Sequence, residues 1–173
     1  MEGPYKSAPY YQSESGANIP GINRIVCCNT SGKIKVVNPL GEHFNLLLSC
    51  GNNADVSFEF ADVAGDQRND YLAISENVIS LSGYRELKFE TLFEKTLNSE
   101  LSKVFSVSGG CGNKDLVGAF SESAGQVFLL KPNGDLLPFF PLAATQPFEA
   151  IWTNNCKTMT LVLVNGNEVY AVR

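Results

Sequence analysis

His43 is the only histidine in the 173 residues, so any Ser–His or Cys–His arrangement for nucleophilic catalysis has to use it. It stands between Glu42 and Phe44 in a strand-like run after a turn, where a surface or half-buried strand histidine is expected. The five cysteines, Cys27, Cys28, Cys50, Cys111 and Cys156, are odd in number and irregular in spacing. Adjacent Cys27 and Cys28 diverge in an extended chain and are poorly placed to bond each other. With no C-x-x-C pair, neither a zinc site nor a disulfide framework is indicated, and buried, reduced thiols are expected. The run Gly109-Gly-Cys-Gly-Asn-Lys-Asp115 brings glycines to a lysine. A phosphate-binding loop, however, needs G-x-x-x-x-G-K-[ST] between a strand and a helix; here Asp115 follows the lysine and a strand comes next. Cys111 beside Lys114 has one reason for a lowered thiol pKa, but no histidine is near it in sequence. Asp62, Asp66 and Asp70 alternate around a turn without the spacing or closing glutamate of an EF-hand. No catalytic residue, cofactor or metal is expected, and the chain reads as a non-enzyme.

The elements that would position such residues belong to one globular unit. An apolar fraction of 44% with 18% charged residues is that of a packed chain, and 173 residues can enclose a sizeable core. Thirteen basic residues against eighteen acidic ones give a net charge of −5. That balance argues against a general nucleic-acid-binding surface. The longest apolar runs are far too short to span a bilayer, and no apolar stretch follows a basic start at the N-terminus. An intracellular location, cytoplasmic or nuclear, is the expectation. The sequon Asn29-Thr30-Ser31 would matter only in a secreted protein.

Residues 1–22 are rich in Pro, Ser, Gly and Tyr without periodicity and read as an extended or disordered arm. From residue 23 to 173 the chain reads as a single β-repeat domain, with units at about 23–50, 56–84, 104–142 and 148–173. Short runs of Val, Ile, Phe and Leu end in Gly, Asn or Pro, as strands and hairpins require. One segment differs. Phe89, Leu92, Phe93, Leu97 and Leu101 recur at helical spacing, which predicts an amphipathic helix over about 90–102. Glu86, Glu90 and Glu94 would then form a solvated row on one face. Trp152 and Phe148 fall at strand alternation positions and are expected in the core.

Strand–turn–strand units begin at 25, 71, 116 and 160, spaced by 46, 45 and 44 residues. Shorter preceding strands carry Val63, Val107 and Ile151 at intervals of 44. Ser31-Gly-Lys-Ile-Lys-Val-Val-Asn-Pro-Leu-Gly41 also aligns without a gap to Ala124-Gly-Gln-Val-Phe-Leu-Leu-Lys-Pro-Asn-Gly134. A repeat of about 45 residues with three or four strands is the size of one propeller blade. The expected fold is all-β, a partial ring of β-propeller-like repeats with one inserted helix; a β-sandwich or small barrel of about ten strands is the alternative.

Phe60-Ala-Asp-Val-Ala-Gly-Asp-Gln with Tyr71-Leu-Ala-Ile-Ser-Glu-Asn resembles a repeat of the regulator of chromosome condensation family. Val104-Phe-Ser-Val-Ser-Gly-Gly with Leu116-Val-Gly-Ala-Phe, and Phe148-Glu-Ala-Ile-Trp with Thr160-Leu-Val-Leu-Val-Asn-Gly, resemble it too. The histidine of that family's pattern is missing, with Asp70, Asp115 and Thr158 near its place, and the W-G ending is absent. A WD-repeat-like propeller is the rival. The resemblance implies a seven-bladed ring, of which this chain would supply three blades and part of a fourth.

An open arc leaves sheet edges and apolar faces that monomers avoid. The leading functional reading is therefore a non-enzymatic protein–protein interaction or scaffold subunit, completed by a protein partner or a second copy. Tyr5, Tyr10, Tyr11, Phe89 and Phe93 are the candidate partner-binding aromatics. The resemblance implies an alternative, a guanine-nucleotide exchange factor for the small GTPase Ran or a chromatin-associated regulator. A viral or organellar structural subunit is a further alternative, and an enzyme using His43 or the acid clusters is the last.

Overall fold

The computed structural model describes residues 10–13, 23–28, 33–37, 43–47, 56–66, 68–85 and 88–173. Among them the chain forms fifteen strands in four antiparallel sheets, and no helix. The first sheet comprises β1 (Tyr10–Ser13), β2 (Asn23–Cys28), β3 (Lys33–Val37) and β4 (His43–Leu47). The second has β5 (Val56–Ala61), β6 (Asp70–Ser75), β7 (Val78–Arg85) and β8 (Lys88–Thr96). In the third are β9 (Lys103–Val107), β10 (Leu116–Ser121), β11 (Gln126–Leu130) and β12 (Leu142–Ala143). The fourth has three strands, β13 (Glu149–Thr153), β14 (Thr158–Asn165) and β15 (Glu168–Val172). Each sheet is an up-and-down meander in chain order, which short hairpins permit. Four of the residues expected in a free arm, Tyr10–Ser13, pair with β2, Tyr11 opposite Ile25.

Two apolar clusters join the sheets, and both follow from strand alternation. On the second sheet Leu72, Ile74, Ile79 and Leu81 face the third, where they meet Val104, Val117, Ala119, Phe128 and Leu130. The opposite face of the third sheet presents Val107, Phe120, Val127 and Leu129 to Leu161 and Leu163 of the fourth, with Phe148 below them. The third sheet is thus apolar on both faces, which explains the near-continuous run Val127–Leu130. β9 packs beside β5 and β6, so the first strands of the second and third sheets lie next to one another. This side-by-side stacking of small sheets replaces the two-layer sandwich kept as the alternative.

The expected helix over 90–102 is overturned: β8 runs through Lys88–Thr96, paired with β7. The physical reason is a β-bulge. Leu81 lies opposite Phe93 and Ser82 opposite Thr91, so Leu92 is the extra residue. An inserted residue breaks the period of two, and both Leu92 and Phe93 then pack against the same cluster. Leu97 and Leu101 bury themselves from the following bend. The Leu97 N–H donates to Asn77 O and the Leu101 N–H to Glu76 O. The bulge and the bend together mimic steps of three and four residues.

The cysteine expectation also needs correction. Cys111 and Cys156 form a disulfide, with Cα atoms 5.9 Å apart and 45 residues between them in sequence. That separation is one repeat, so the stacking sets equivalent loops of the third and fourth sheets side by side. Cys27 and Cys28 lie in β2, and Cys50 is outside the described residues.

Gly118 in the centre of β10 lies opposite Phe105, and a methyl group there would overlap the Phe105 ring. Gly118→Ala is expected to cost about 1–3 kcal/mol in urea denaturation, because the ring has to leave its contact with Phe148. Removing the disulfide by Cys111→Ser with Cys156→Ser should cost about 4 kcal/mol on the chain-entropy account. The same loss should follow in the native sequence on adding a reducing agent, read from the shift of the denaturation midpoint.

Candidate functional site

In the second and third sheets the connection between the first and second strands gathers the polar side chains singled out in the sequence. In the second sheet Asp70 opens β6 with its side chain fully buried. Its Oδ2 accepts from the Ala64 N–H at 2.8 Å, and its Oδ1 accepts from Arg85 Nη2 at 2.9 Å. Arg85 also reaches Asp66 through Nη1 at 3.1 Å. Asp62 and Asp66 cap the turn locally, accepting from the Asp66 and Arg68 N–H groups. Arg85 thus supplies the positive charge between Asp66 and Asp70. No group of three or more His, Cys, Asp or Glu among the described residues is arranged to hold a metal ion.

The third sheet repeats this device 45 residues on. Asp115 Oδ1 accepts from the Gly109 N–H at 3.0 Å, as Asp70 does from Ala64. In both loops a carboxylate satisfies a backbone donor that the turn would otherwise strand. Gly83 leaves room for the ion pair, since a methyl group there would overlap the Asp70 carboxylate. Trp152 of β13 spans to the Gly109–Asp115 loop. Its Nε1 donates to Ser108 O at 2.6 Å and its ring lies on Gly110. Cys111 is held in the disulfide, so it offers no thiolate in this state.

A groove of about 620 Å³ opens between the second and third sheets, lined by Ser57, Ile74, Glu100, Leu101, Ser102, Glu122 and Ser123. Its central hydroxyl is already engaged: Ser102 Oγ donates to Phe120 O and accepts from the Glu122 N–H.

Apolar exposure concentrates at the far side of the fourth sheet. Ile151 is 51% exposed and Val169 is 70% exposed. The strand registers show what these positions are elsewhere. The pair Val164–Val169 corresponds to Phe120–Val127 in the third sheet and to Ile74–Ile79 in the second. Likewise Ile151, opposite Thr160, corresponds to Val107 opposite Leu116 and to Ala61 opposite Asp70. All the earlier members are buried. Ala61, two residues before Val63, is the register equivalent; Val63 buries itself in the same cluster from the following loop. A third outlier is Phe139, 91% exposed and with φ of 73° in the loop Pro138-Phe-Phe-Pro141. Its neighbour Phe140 packs towards Phe148 instead.

Of the aromatic residues proposed from sequence, four fall on described strands. Tyr5 lies outside the described residues, Tyr10 and Tyr11 are in β1, and Phe89 is in β8. Phe93 is half-buried against the core cluster and lies on Gly134 of the third sheet. His43 opens β4 opposite Val37. Glu90 and Glu94 are exposed on β8, and Glu86 is outside the described residues. Sequence reasoning noticed Ile151 by its spacing but not its exposure, and it passed over Val169 and Phe139. The Pro-Phe-Phe-Pro run was the available signal for the latter.

Burial, the largest influence, holds the Asp70 carboxyl above its ordinary value of 3.8, against the opposing pull of the Ala64 N–H and Arg85. A carboxyl raised in the folded state binds its proton more tightly there than in the unfolded chain. The folded state therefore gains stability as pH falls through the raised pKa towards 3.8. Compared with Asp70→Asn, which does not titrate, the native sequence should gain stability over that window in urea titrations at stepped pH. A difference that is flat, or that falls on acidification, would contradict the account.

No family model matches the chain, and no curated protein matches it. Solved structures do. A crystal structure of BBS1N in complex with ARL6DN, soaked with lead, aligns over 99% of this chain and 55% of that one, at 11% identity and a TM-score of 0.59. The V. cholerae biofilm matrix protein Bap1 aligns over 90% of this chain and 23% of that one, at 18% identity and a TM-score of 0.55. The chain spans about half the length of the first and about a quarter of the second. At such identities the likeness concerns the fold alone. With BBS1N a propeller-containing protein, the successive small antiparallel sheets are an all-β, propeller-like array.

Proposed function

We propose that this chain is a non-enzymatic protein-interaction or scaffold subunit, a partial ring of propeller-type sheets that another polypeptide completes. The observation that carries the reading is the outward face of the fourth sheet. Ile151 and Val169 stand open there, whereas their counterparts in the second and third sheets are buried by the sheet that follows. Apolar sheet faces left in water are costly, at about 25 cal/mol per Å², and faces of this kind mark association surfaces. The partial coverage of BBS1N is in keeping with the same reading, because the aligned part takes up only 55% of that chain. That BBS1N was crystallised with ARL6DN is in keeping with a role in protein association. The net charge of −5 favours protein over nucleic acid as the partner.

Native mass spectrometry of the chain, purified gently from its own source, tests the reading. A stoichiometric complex with another polypeptide is expected. A clean monomer at 18.8 kDa would overturn it.

A further inference from the structure

The geometry points to one occupant for the outward face of β13–β15: an antiparallel β-sheet of a partner protein, its first strand laid against β13. The inference rests on the reading of the chain as an interaction subunit and says which surface is used and what fits it. It is carried by the registers of the three sheets, in which Ile151, Val164, Val169 and Ala171 each have two buried precedents.

Four side-chain positions define the seat. Val164 and Val169 are cross-strand partners at the place where Ile74–Ile79 and Phe120–Val127 receive the following sheet. Ile151 stands where Ala61 and Val107 do so. Ala171, opposite Val162, corresponds to the buried Leu81 and Leu129. A small side chain at Ala171, where the other two sheets have leucines, suits a large apolar side chain from the incoming sheet.

Glu149 adds chemical direction. Opposite Val162, it is the register equivalent of Glu59, which lies opposite Leu72. Glu59 Oε1 accepts from both the N–H and the Oγ of Ser106, in the first strand of the following sheet, at 3.1 Å and 2.9 Å. Glu149 is exposed and lies on the same face as Ile151. The incoming sheet therefore carries, on its first strand, a backbone N–H beside a Ser or Thr hydroxyl that Glu149 can accept from. A second copy of this chain is the less suited occupant, because two bodies of net charge −5 repel as they approach.

The experiment uses the complex as purified from source. Val169→p-benzoylphenylalanine is photocrosslinked, and the attached peptide is mapped by mass spectrometry. Crosslinks are expected on alternate residues of a strand in the partner's sheet. In parallel, Ile151→Asp with Val169→Asp should reduce recovered partner by at least about ten-fold, with the melting temperature unchanged because both side chains already face water. Lys157→Glu, in the exposed turn before β14, should leave recovery as it was. A partner retained in full by the Asp variant, with crosslinks absent or falling on a helix, would overturn the face while leaving the interaction function intact. Crosslinks onto a second copy of this chain, or onto a later stretch of the same polypeptide, would overturn the choice of occupant. A monomeric chain from source would instead remove the functional reading beneath both.

Discussion

The second, third and fourth sheets are each too small to enclose a core, so their stability depends on laying a face against a neighbouring sheet. That requirement fixes most of what is observed. It demands apolar side chains on both faces of the third sheet, where Val117, Ala119 and Phe128 look one way and Phe120, Val127 and Leu129 the other. It also makes the fourth sheet two-faced in composition though covered on one face only among the described residues. Radial repetition is a general solution to the edge problem of all-β chains, and it works by passing an uncovered face along until something closes it.

Close stacking leaves little room for loose polar groups at the ends of the sheets. The chain meets this with the same element twice, a carboxylate at the start of the second strand turned back onto a loop N–H. In the second sheet that carboxylate is buried, and an arginine from β7 answers its charge. In the third sheet Asp115 is only half-buried, and its loop is secured instead by Trp152 and the disulfide. The two loops therefore reach similar order by different chemistry. Glycines stand where these devices come closest, Gly83 under Asp70 and Gly118 under Phe105.

Much of the architecture was legible in the sequence because repetition leaves marks that no single strand does. Spacing of 44 to 46 residues reflects one sheet and its connections, and the hairpins were readable from Gly125 and Gly166, both at positive φ. The helix was misread for a definite reason: a bulge at Leu92 followed by a bend gives apolar steps that imitate a helical face. The disulfide was missed because cysteines were weighed by number and local motif. Measured against the repeat, Cys111 and Cys156 stand 45 residues apart, which is the signal that could have found them. Exposure was the least legible property. Val169 and Val127 look alike in sequence, and only the presence or absence of a following sheet separates them.

The bond between Cys111 and Cys156 closes a covalent ring that contains β10, β11, β12 and β13. Within it lies the loop bearing Phe139, whose exposure is that of a segment open to proteases. A cut there would open the polypeptide without dividing it, since the two pieces stay tied through sulfur. A nicked molecule would keep its mass, apart from one added water, and its two last sheets side by side. It would come apart into two fragments only under reduction.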